Sequence, residues 1–71
     1  MKNNYFIENL NYLTHNTNIN VKELGNRLGI SRQAIRSYII GKSEPTIENL
    51  IKICEIYDIT PTQLLIKEIY K

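Results

Sequence analysis

Cysteine is nearly missing from this chain of 71 residues. The single thiol, Cys54, excludes an internal disulfide framework. There is no tryptophan, one histidine, two prolines and three glycines. No apolar run approaches the roughly 18 residues of a membrane span. The start, Met1-Lys2-Asn3-Asn4, leads into an amphipathic stretch rather than a signal-peptide core. Paired carboxylates, metal-ligand spacing and a phosphate-binding glycine loop are all lacking. The chain therefore reads as a non-enzyme with no cofactor and no metal. Its expected location is the cytoplasm of a bacterium or of a phage-infected cell, associated with the nucleoid.

What is present is a globular composition, 42% hydrophobic and 23% charged. At this length residues 1–71 form one domain with one small core. About 60% of the unfolded surface is buried in such a domain, so a dimer partner would add useful stability. The net charge of +2 is unevenly placed. Between Asn20 and Lys42 stand Lys22, Arg27, Arg32, Arg36 and Lys42 against Glu23 alone, a net +4. The remaining residues carry a net −2. A basic segment inside a nearly neutral chain points to a polyanion as partner.

Apolar periodicity predicts an all-α fold of five helices without strands. The first runs from about Asn4 to Thr14, with Phe6, Leu10 and Leu13 on one face and Ile7 at its edge. His15 to Asn18 read as a loop. Asn20 caps the second helix, with Glu23 as its expected capping-box partner. Leu24 and Leu28 face inward, and Gly29 stops the helix. Ser31 caps a third helix from Arg32 to about Ile39. Its apolar arc is Ala34, Ile35, Tyr38 and Ile39. Its opposite arc is Arg32, Gln33, Arg36 and Ser37. Gly41 and Pro45 end it. Thr46 caps a fourth helix expected to bury Ile47, Leu50, Ile51, Ile53, Cys54 and Tyr57. Thr60, Pro61 and Gln63 announce a fifth, from about 61 to 70. Ile59 can staple to Leu64 across that start.

Two helices joined by a glycine-centred break make a helix-turn-helix, here residues 20 to 39. Gly25 supplies a small residue where the third helix is expected to cross the second. The polar arc of the third helix is left facing outward. The major groove of B-DNA admits one α-helix, and Arg and Gln can each make paired hydrogen bonds to a purine edge. Arg32, Gln33, Arg36 and Ser37 are thus the candidate base-contacting residues. Asn20, Lys22, Lys42 and Ser43 flank them, where the phosphates would pass.

The stretch "NVKELGNRLGISRQAIRSYIIGKSEPTIENLIKICEIYDITPTQLL", residues 20–65, resembles the phage repressor and Cro family of helix-turn-helix domains, also called lambda-repressor-like. The likeness lies in the Leu and small residue of the second helix, "GIS" at the turn, and Ile35 with Tyr38 facing the core. "GK" and Pro follow the third helix, "ENL" falls in the fourth, and "ITPTQLL" matches the last shared helix. The resemblance implies a five-helix domain that binds operator DNA as a dimer, with Arg32, Gln33 and Ser37 at base-contacting positions. It puts Arg36 on base or phosphate, and Asn20 and Lys42 on the backbone. Four positions depart from the family pattern: Gly25 for the usual Ala, Ile39 and Ile40 where polar residues are common, and Val21 where some members carry a polar reader.

Ile56, Ile66, Ile69 and Tyr70 fall off the expected core stripes, and they form the candidate homodimer interface, which Tyr5 and Tyr12 could join. A regulatory protein is the other candidate partner. In that alternative the chain is an antitoxin or anti-repressor module that grips its partner through Ile39, Ile40, Ile66 and Ile69. As a single domain the chain is expected to carry no sensor of its own. Control is then expected through concentration, dimerisation or another protein.

Overall fold

The architecture was obtained as a computed structural model that describes residues 3–66. Five helices follow one another: α1 Asn4–Asn16, α2 Val21–Leu28, α3 Arg32–Ile39, α4 Ile47–Tyr57 and α5 Pro61–Leu65. Each starts where a polar side chain accepts a hydrogen bond from an otherwise orphaned first-turn N–H. Asn3, Asn20, Ser31, Thr46 and Thr60 do this at α1 to α5 in turn. Thr60 and Gln63 close a reciprocal capping box around Pro61. Glu23 does not close one at α2. It instead accepts from Arg27 Nε at 2.9 Å, one helical turn on. Both partners stood at workable spacing, and the charged one prevailed.

The core is built from Phe6, Leu10 and Leu13 of α1, Leu24 and Leu28 of α2, Ile35 and Tyr38 of α3, Ile53 and Cys54 of α4, and Leu64 of α5. Helix α1 packs against α2, α3 and α5, and α4 packs against α2 and α5. The Phe6 and Tyr38 rings meet edge to face, 6.4 Å between centroids. Asn9 is fully buried beside this cluster. Its amide donates to the carbonyls of Gln63 at 3.2 Å and Leu64 at 3.0 Å, in the last turn of α5. A five-residue helix has few internal bonds of its own, so α1 supplies what α5 lacks.

Helix α1 runs two residues beyond its sequence-based end. Polar side chains hold its final carbonyls: Asn16 donates to Tyr12 O at 2.9 Å and Thr17 to Leu13 O at 2.6 Å. Helix α4 holds the larger surprise. Ile47 is 77% and Ile51 50% exposed, although the apolar pattern placed both in the core. They sit on the side of α4 away from the deeply buried Ile53. Leu50 and Tyr57 are half-buried rather than fully enclosed.

Helix α4 ends in a Schellman arrangement in which Ile59 N–H reaches Cys54 O at 2.9 Å and Asp58 N–H reaches Glu55 O at 3.3 Å. Asp58 must adopt φ 56°, ψ 49° to allow this. A left-handed backbone strains a residue with a Cβ, and a carboxylate at a helix C-terminus opposes the helix dipole. Asp58→Gly is therefore expected to stabilise the fold by about 0.5–1 kcal/mol. Urea unfolding followed by circular dichroism measures it, and a midpoint that falls would contradict this account.

Candidate nucleic-acid interface

Helices α2 and α3 are joined by a turn whose geometry depends on two glycines. Gly29 adopts φ 73° as the C′ residue of α2. Its N–H bonds to Asn26 O at 3.3 Å, while Ile30 N–H bonds to Gly25 O at 3.0 Å. Gly25 serves a different purpose. A Cβ there would stand 2.9 Å from the Ile30 carbonyl oxygen. The close neighbour of Gly25 is thus the backbone of the turn, rather than the body of α3 as the sequence suggested. A side chain at this point would push Ile30 and Ser31 outward and tilt α3.

Ser31 then starts α3 by accepting from Ala34 N at 3.1 Å. On the inner side Ile35 is fully buried and Tyr38 nearly so, while Ala34 and Ile39 are half-buried. Arg32, Gln33 and Arg36 are exposed, and Ser37 is half-buried at the margin of the same face. Among the described residues these four side chains make no ion pair and no side-chain hydrogen bond. Their donors and acceptors are available to an external ligand. Arg27, counted with the basic segment, is already engaged with Glu23.

The flanking residues are placed by the helix ends. Gly41 takes φ 74°, and Lys42 N–H closes onto Ser37 O at 2.9 Å. Lys42 and Ser43 therefore turn off the C-terminal end of α3, both exposed. At the other margin Asn20 and Lys22 are exposed at the start of α2. The Asn20 oxygen caps Glu23 N at 2.9 Å, which leaves its amide N–H groups for an anion. The structure thus gathers Arg32, Gln33, Arg36 and Ser37 on one face of α3, with Asn20 and Lys22 at the start of α2 and Lys42 and Ser43 just past the end of α3.

Other candidates separate. Ile56 is half-buried and packs against the core, and Ile66 is 64% exposed. Ile69 and Tyr70 lie outside the described residues. Tyr5 is exposed and Tyr12 half-buried. Ile39 joins the core margin, while Ile40 is 66% exposed. Cys54 is buried, and burial first, then the neighbouring Glu55 charge, pushes its thiol up. That is the opposite of what a nucleophile needs. Among the described residues no group of His, Cys, Asp and Glu could hold a metal, and no helix is long and apolar enough to cross a membrane.

One contact had no sequence signal. The Tyr57 hydroxyl, at the end of α4, donates to the Ile19 carbonyl at 2.7 Å, 38 residues away. Burial pushes its pKa up to about 12, opposed only in part by the Arg27 charge. The hydroxyl therefore keeps its proton at neutral pH.

Comparison with known proteins agrees with this geometry. A family model described as helix-turn-helix matches residues 16–64. No curated protein sequence matches. Among solved structures, the solution structure of the SOS-response transcriptional repressor LexA from Eubacterium rectale aligns with a TM-score of 0.84 at 18% identity. That alignment covers 99% of this chain and 74% of the other. The crystal structure of a transcriptional regulator from Listeria innocua aligns with a TM-score of 0.79 at 23% identity, over 84% of this chain. The aligned part is 56% of the Listeria chain. At these identities the likeness is one of fold.

Proposed function

The chain belongs to the helix-turn-helix family, and from that premise we propose that it is a sequence-specific regulator of transcription. Its target is double-stranded DNA, and its mode is that of a Cro-like repressor binding a pseudo-palindromic operator as a homodimer. One observation carries this reading. The outer face of α3 presents Arg32, Gln33 and Arg36 exposed and unpaired, on a helix whose inner face is locked into the core. Such a helix fits the major groove. Arg32 and Gln33 lie at its N-terminal end, the end that helix-turn-helix proteins aim at base edges. Arg36 and Ser37 extend the contact along the groove. Asn20, Lys22, Lys42 and Ser43 hold the phosphates on either side.

Selection of bound duplexes from a random pool tests this directly. Two related half-sites with centres about 34–36 Å apart are the expected outcome. A pool that stays random after repeated rounds would refute sequence-specific binding, and a single unrepeated site would refute the homodimer. Lys42→Ala is expected to weaken matched and scrambled duplexes alike. It should also flatten the dependence of log affinity on log salt by about one unit, the signature of one lost phosphate contact. Gel shifts across a salt series read both effects.

A second reading follows from the exposed Ile40 and Ile66, apolar side chains of the kind that protein partners cover. In it the chain is an antitoxin or anti-repressor module. Capture of a protein partner that is insensitive to salt, with no affinity for duplex DNA, would establish that reading over the first.

A further inference from the structure

The loop between α1 and α2, residues 17–20, ends at the margin of the proposed DNA surface. Most of what orders it is local. The Thr17 hydroxyl donates to Leu13 O at 2.6 Å and accepts from Ile19 N at 3.2 Å. These bonds tie the loop to the end of α1. Longer-range restraints also act there: Val21 and Leu24 hold the first turns of α2 to the core, and Ile19 adds two contacts of its own. The Ile19 side chain is half-buried against the core, and its carbonyl takes the hydrogen bond from Tyr57. An apolar contact tolerates sliding, whereas a 2.7 Å hydrogen bond to a single oxygen sets position and direction. Tyr57 itself is the last residue of α4, a helix anchored by the fully buried Ile53.

We propose that Tyr57 is a positioning residue for DNA binding: by holding the Ile19 carbonyl it fixes the start of α2, and so places Asn20 and Lys22 against the DNA backbone. The role rests on the DNA-binding reading above. Ile19 immediately precedes Asn20, whose side chain caps α2, and Lys22 lies two residues further. A rotation of the Ile19 peptide is passed directly to both. Phosphate contacts of this kind set the register of a protein on the duplex and carry no sequence information. Loss of the hydroxyl should therefore lower affinity without changing which sequence is preferred.

Tyr57→Phe keeps the ring and removes only the donor. Its binding is measured at a temperature where circular dichroism shows wild type and variant both folded. The expected result is a loss of about fivefold, the equivalent of one ordinary hydrogen bond. The loss should be equal on operator and scrambled duplex, with a shallower salt slope. Lys22→Ala is then made in both backgrounds. If Tyr57 acts through the start of α2, Lys22→Ala costs clearly less in the Tyr57→Phe background than in wild type. A purely structural role would give additive losses. In the DNA-free protein, exchange of the Glu23 amide, which Asn20 caps, should quicken in Tyr57→Phe while the Ile35 amide keeps its rate. Additive losses, an unchanged salt slope or a loss confined to the operator would each overturn the role while leaving the DNA reading intact. A wild-type chain that binds no duplex overturns both.

Discussion

Gln33→Ala is expected to weaken operator binding by about 1–3 kcal/mol and to relax sequence preference at one or two adjacent base pairs. The effect should fall on specific binding alone. Gln33 is exposed at the first turn of α3 and has no partner within the described structure, so its removal leaves nothing unsatisfied in the fold. A paired amide contact to adenine is worth that much discrimination because the wrong base leaves a donor and an acceptor unmatched. Arg32→Ala should behave alike, with an added loss of affinity for every duplex, since a guanidinium also attracts phosphates. Titration of each variant against the selected operator and its single-base variants gives the result. If Gln33→Ala keeps the full ratio of specific to scrambled binding, Gln33 is not a reader. If neither substitution changes that ratio, the α3 face is not the reading surface.

The placement of that face was legible in the sequence because it depends on local chemistry. Asn20, Ser31, Thr46 and Thr60 cap the helices they were expected to cap. Capping is decided within four residues, so spacing alone suffices. The two arcs of α3 were legible for a related reason. A helix eight residues long with Ile35 and Tyr38 on one side has little choice of which side to bury.

What depends on distant neighbours was not legible. Ile47 and Ile51 are apolar, and the pattern says so, but periodicity does not tell how many elements cover a helix. Among the described residues α4 packs against α2 and α5, and Ile47 and Ile51 stay exposed. Asn9 gave no sign of its task either. A polar residue on an inner face is favourable only with a partner, and its partners lie 54 and 55 residues away. The bond from Tyr57 to Ile19 is hidden in the same way. Gly25 lies between these cases. Its need for smallness was readable, while the backbone it makes room for emerged only with the turn in place.

The two arcs of α3 also permit a separation of binding from folding, through a large expected loss of stability. Ile35→Ala should cost about 2–5 kcal/mol. The side chain is fully buried among Leu24, Leu28 and the other core residues described, and the truncation leaves a cavity that a small domain cannot easily close. A domain of this size has a total stability of roughly 4–10 kcal/mol. The variant should therefore lie near the edge of unfolding, with its urea midpoint lowered by about 1–2 M or more. Arg32→Ala, on the opposite side of the same helix, should stay within about 0.5 kcal/mol of wild type. The expected pattern is thus crossed. Ile35→Ala loses stability and, once cooled or held folded by excess operator, keeps its base preference. Arg32→Ala keeps its stability and loses that preference. Equal destabilisation by the two substitutions would mean that Arg32 is part of the packing. A cost below about 1 kcal/mol for Ile35→Ala would mean that the inner face of α3 is not where the domain is held together, and the outward aim of its polar arc would lose its foundation.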